Sequence, residues 1–121
     1  MPNLNMRGPF ELTNESIDKN VKDSTHGNYA LGKQNEKGGL TVLYVGRADN
    51  GLKRRLKEHV AESYTHFKYS NCSTEREAFN EECRNWHEWG EDKKLDNKIH
   101  PRRPDGKTYP CRYCKEFDGE N

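Results

Sequence analysis

The chain has no apolar run long enough to span a bilayer and no signal-peptide-like apolar core, so a soluble, cytoplasmic protein without a membrane association is expected. It is also short of material for a core. Only 30% of its 121 residues are hydrophobic and 34% are charged, which bounds it to one domain with a modest core and makes a metal staple a fitting supplement. An excess of one charge sign is missing as well. Lys and Arg number 21 against 20 Asp and Glu, so net charge alone does not announce a nucleic-acid binder. The local distribution says more: residues 53–57 and 102–112 are basic, while 75–92 are acidic. There are only four cysteines and no sign of secretion. That argues against a disulfide framework and leaves metal binding as the usual alternative. No internal repeat or low-complexity segment divides the chain.

What is present is organised around residues 40–59, LTVLYVGRADNGLKRRLKEH. Leu40–Val45 is rich in β-branched, aliphatic and aromatic residues and stops at Gly46, which predicts a short buried strand. Asp49, Asn50 and Gly51 supply turn chemistry and a helix N-cap. Leu52, Leu56 and Val60 then fall four apart, predicting a helix over 51–62 that carries Lys53, Arg54, Arg55 and Lys57. Upstream, Tyr29-Ala30-Leu31 predicts a strand, paired with 40–45 as an antiparallel hairpin around a Gly38-Gly39 tip.

The flanks are plainer. Met1 to Pro9 has no periodicity and is expected to be loose. Thr13 is a candidate N-cap for a helix to about Lys22, with Ile17 and Val21 on one face. His66–Ser70 alternates weakly, as a third strand would. Thr74-x-x-Glu77 is a capping-box pattern opening a helix that runs to Trp89 and stops at Gly90. Phe79, Cys83, Trp86 and His87 make one stripe of that helix, with Glu82 on its edge. A carboxylate there is either half-exposed on a solvated face or held by a cation.

The cysteines fall into a metal-ligand pattern. Cys111-Arg112-Tyr113-Cys114 is a C-x-x-C knuckle, and Cys83 and His87 are i, i+4 on one helix face. Cys83, His87, Cys111 and Cys114 would form a closed tetrahedral zinc site, with His100 the rival for the fourth position. Such an ion would be structural, tying a tail with few apolar residues to the second helix. It would also hold Arg102, Arg103, Lys107 and Arg112 beside the domain as phosphate contacts. Cys72 has no spaced partner and reads as a plain thiol.

Residues 27–97 resemble the GIY-YIG nuclease domain. The resemblance is carried by Asn28-Tyr29-Ala30, by Tyr44-Val45-Gly46, by Leu52-x-x-Arg55 and by Ala78-x-x-x-Glu82, in that order. It implies an α/β (α+β) fold with a small central antiparallel sheet flanked by helices. The implied division is an arm and short helix at 1–26, the nuclease-like domain at 27–97 and a zinc-stapled tail at 98–121. It implies a metal-dependent endonuclease hydrolysing phosphodiester bonds in DNA, branched or damaged, with a partner protein a fitting source of specificity. The implied roles are Tyr29 to take a proton from water, Tyr44 to orient, and Arg55 to bind phosphate. His59 would assist, Glu82 would hold a catalytic Mg2+ or Mn2+ with Glu81 as its fallback, and Asn97 would complete the set. A nucleic-acid-binding module that cleaves poorly, and a zinc-stabilised interaction domain, are the alternatives.

Overall fold

The computed structural model describes residues 6–97, 100, 101 and 111. Their elements are β1 (Arg7–Glu11), α1 (Asn14–Asn20), β2 (His26–Gln34), β3 (Leu40–Ala48), α2 (Leu52–Glu58), β4 (His66–Cys72), α3 (Glu75–Glu88) and α4 (Glu91–Lys94). The four strands form one sheet in the order β1-β4-β2-β3, every pair antiparallel. The expected small antiparallel sheet flanked by helices is therefore the observed one.

The strand period of two sorts the core into two layers. Tyr29 and Leu31 of β2, with Phe67 and Tyr69 of β4, pack with Ile17 of α1 and with Leu52 and Leu56 of α2. Ala30 and Val45, one residue out of phase, pack instead with Trp86 of α3 and with Leu95. The sheet thus lies between α1 and α2 on one face and α3 on the other. Full burial of each large apolar side chain here contributes about 1.5 to 3 kcal/mol.

One local expectation is corrected. Arg7 to Pro9, expected to be loose, belong to β1, which pairs Arg7 with Tyr69 and Phe10 with Phe67 along β4. That stability comes from partners more than fifty residues away, which no local pattern records. The α2 terminus, capped at Gly51 without a side-chain acceptor, borrows one from another segment. The Lys53 amide donates to Asp23 Oδ1 at 3.0 Å and the Leu52 amide to the Ser24 carbonyl at 2.8 Å. Thr74 caps α3 as expected, accepting from the Glu77 amide at 3.1 Å.

Strand β3 is an edge of the sheet, and its outer side is closed by the segment after α4. The Asp96 amide donates to the Leu43 carbonyl. Asn97 takes the Val45 amide on Oδ1 at 2.9 Å and gives Nδ2 to the Val45 carbonyl at 2.7 Å. No helix among the described residues is long and apolar enough to cross a membrane.

Candidate active site and metal cluster

A cleft of about 680 Å³ runs over β3, walled by Tyr29, Tyr44, Arg47, Arg55, Glu82, Asn97 and His100, among others. Tyr44 and Gly46 lie on the α2 side of β3, whereas Arg47, the next residue, lies on the α3 side. Gly46 is the narrow point. A Cβ built there would stand 2.5 Å from both Cζ and Oη of Tyr29, its register partner on β2. Only a residue without a side chain lets that ring lie across the strand.

Tyr29 is fully buried, yet its hydroxyl is engaged twice. Arg55 Nε lies 3.1 Å from it, and His59 Nε2 lies 2.9 Å from it. His59 is buried behind the tyrosine, its ring 5.2 Å from that of Tyr29 and 5.5 Å from that of Tyr44. On its far side Nδ1 meets a carboxylate oxygen of Glu62 at 2.8 Å. Burial lowers His59 below the ordinary histidine value, against an upward pull from Glu62. Burial also raises the phenol of Tyr29, with Arg55 opposing it. The Arg55 guanidinium additionally pairs with Glu58 at 2.8 Å.

From α3, Glu82 projects to the same cleft and pairs through Oε1 with Arg47 Nη1 at 2.6 Å. Arg47 is aimed by Asp49, whose two oxygens lie 3.0 and 3.1 Å from Nε, and by Phe79, whose ring centroid is 5.5 Å from Cζ. Burial pushes the Glu82 carboxyl up to about 7, with Arg47 pulling it down. Glu81 points elsewhere, to Arg84 at 2.7 Å.

Of the residues expected at the site, Tyr29, Tyr44, Arg55 and Glu82 line one cleft, with His59 in its second layer. Asn97 lines it too, but both ends of its side-chain amide are committed to the backbone of Val45. Arg47, Asp49 and Glu62 were missed. The sequence signal for Arg47 is its parity: one residue past Gly46, a strand residue must face α3. No known protein family, curated protein or solved structure matches this chain.

A second cluster lies beside the cleft and shares His100 with its wall. The donor atoms of Cys83, His100 and Cys111 all lie within 4.8 Å of one another, an arrangement that could hold a metal ion. Burial, reinforced by Cys111, raises the Cys83 thiol. His87, the expected fourth donor, has Nε2 at 3.6 Å from Cys111 Sγ and Nδ1 on Glu91. It borders the three-donor group, and His100, the rival, is a member of it. Cys114 and the basic residues Arg102, Arg103, Lys107 and Arg112 lie outside the described residues. Cys72, expected as a plain thiol, is buried and lies 2.8 Å from Asn28 Oδ1.

Proposed function

We propose that this chain is a metal-dependent endonuclease of the GIY-YIG type, hydrolysing phosphodiester bonds in DNA. The observation that carries the reading is the convergence of Tyr29, Arg55, Glu82 and Tyr44, from two strands and two helices, on one open cleft. A phosphodiester seated there meets Arg55, whose fixed donors suit phosphate oxygens and whose charge persists at neutral pH. Tyr29 is the proton acceptor for the attacking water, since its hydroxyl is already oriented by Arg55 and His59. Tyr44, stacked 6.5 Å from Tyr29, limits how the water and phosphate sit.

Glu82 fits a hard divalent cation: Arg47 engages Oε1, leaving Oε2 to bind Mg2+ or Mn2+. When bound, that ion supplies Lewis-acid relief of phosphate charge. Cys83, His100 and Cys111 offer the soft sulfur and imidazole donors that suit zinc, with Cys114 as its fourth ligand, in a closed structural site. Cys83 adjoins Glu82 in sequence, and His100 lines the cleft, so the zinc would steady two of its walls.

A module that binds nucleic acid without cleaving it is the second reading. Arg47 favours it, because a guanidinium already neutralises the carboxylate that the cation needs. Incubation of the protein with plain, flapped and branched duplex DNA, with and without magnesium, separates the two. Magnesium-dependent strand cleavage is expected. Tight binding with no cleavage under any divalent ion would favour the second reading instead.

A further inference from the structure

The hydrogen bonds around Tyr29 determine which nitrogen of His59 carries its proton. Arg55 can only donate, so it uses a lone pair of the Tyr29 oxygen and leaves the phenolic O–H in need of an acceptor. His59 Nε2, at 2.9 Å, is in place to accept it. At the other end of the ring, Nδ1 faces a Glu62 oxygen at 2.8 Å. A bare Nδ1 there would set lone pair against carboxylate, whereas an Nδ1–H makes a charge-assisted bond. Both ends of the imidazole demand the same tautomer.

We propose that Glu62 is a positioning residue that locks His59 as the Nδ1–H tautomer, so that Nε2 draws the phenolic proton from Tyr29. The inference rests on the hydrolase reading above. In the step itself, the Tyr29 O–H proton moves to His59 Nε2 as the same oxygen takes a proton from the attacking water, so the buried phenol stays neutral throughout. The resulting hydroxide forms the new P–O bond as the bond to the leaving oxygen breaks; that oxygen keeps the bonding pair and is protonated by solvent water. The imidazolium keeps both of its protons, and Glu62 stabilises it through Nδ1–H. The groups facing His59 are Tyr29 from β2, Tyr44 from β3, Arg55 and Glu58 from α2, and Glu62. Of these, Glu62 is the carboxylate on Nδ1.

The test pairs a spectroscopic readout with kinetics. Long-range 1H–15N NMR of the purified protein is expected to show His59 protonated at Nδ1. Glu62→Ala is expected to give a mixed or Nε2–H tautomer. Because Glu62 is half exposed (47%), kcat should fall by about tenfold, far less than a buried triad carboxylate costs, with KM little changed. Without Glu62 the acid limb of the rate profile should also move to lower pH. Glu62→Gln, which keeps an acceptor oxygen for Nδ1–H, should restore the tautomer. Wild-type protein with His59 protonated at Nε2 alone, or Glu62→Ala with unchanged tautomer and kcat, would overturn the proposal while leaving the hydrolase reading intact. A wild-type protein with the Nδ1–H tautomer that cleaves no DNA would overturn the catalytic role together with that reading and leave only the geometry of the ring.

Discussion

Replacing Glu82 by Gln separates what this carboxylate does for the fold from what it does for chemistry. Removing one member of a buried ion pair costs about 3 to 5 kcal/mol when the other charge is left alone. Arg47 is not left alone, because Asp49 keeps both oxygens on Nε at 3.0 and 3.1 Å. The glutamine also retains a carbonyl oxygen for Nη1. The expected loss is therefore nearer the net worth of a charged hydrogen bond, about 1.5 to 3 kcal/mol. At roughly 4 °C per kcal/mol for a domain of this size, the melting temperature should drop by about 6 to 12 °C. The cleavage rate should fall much further. Losing a cation anchor worth at least about 3 kcal/mol in the transition state removes a hundredfold or more in rate. Glu81→Gln is the control. Glu81 lies on the Arg84 side of α3 with 39% of its side chain exposed, so stability should move by less than about 1 kcal/mol and cleavage should not change. Calorimetry and a magnesium-dependent DNA cleavage assay on both variants decide it. Wild-type cleavage by Glu82→Gln, above all with loss in Glu81→Gln, would refute the assignment.

Three further outcomes are expected. Gly46→Ala places a methyl 2.5 Å from the Tyr29 ring, so the ring or the strand must shift; cleavage should collapse while far-UV circular dichroism stays near wild type. Protein purified without added metal should contain about one equivalent of zinc by elemental analysis, and Cys111→Ser should lose it. His100→Ala should lose zinc more readily than His87→Ala, the reverse order being the sign that His87 is the true ligand. The cleavage rate should fall as pH drops through about 7, where Glu82 takes up a proton and loses its hold on the cation, and fall again below pH 6.5, because burial lowers His59 and only its neutral form accepts a proton. The same shift makes the stability His59 contributes present above its unfolded value and lost as pH falls through the lowered one, which denaturation at a series of pH values will show.

Local signals were enough for β3, α2 and α3. Leu40–Val45 is dense in aliphatic, β-branched and aromatic residues, Leu52 and Leu56 recur at helical spacing, and Thr74 caps its helix with a side chain three residues from its target. Strand β1 was illegible because Arg7–Glu11 is held by β4, and residues 7–11 carry no alternation of their own. The site divides in the same way. Tyr29, Tyr44, Arg55 and Glu82 came from the resemblance to the GIY-YIG motifs. Arg47 and Glu62 act through contacts that spacing along the chain does not encode: Arg47 reaches 35 residues ahead to Glu82, and Glu62 lies past the end of α2, where a helical register no longer predicts direction. His100 illustrates a different gap. Its place beside Cys83 and Cys111 comes from how the chain after α4 folds back, which the sequence leaves open.

That fold-back has a consequence for solubility. An edge strand offers its backbone to any passing chain, and stacking of such edges is a common route to self-association. Here Asn97 meets the Val45 backbone with one donor and one acceptor, as a neighbouring strand would, so the edge of β3 is already satisfied at its centre. Shortening the chain before residue 96 would uncover the Leu43 carbonyl and both polar groups of Val45. The truncated protein should then pair edge to edge with itself, forming dimers or larger species across the strand that bears Tyr44 and Gly46.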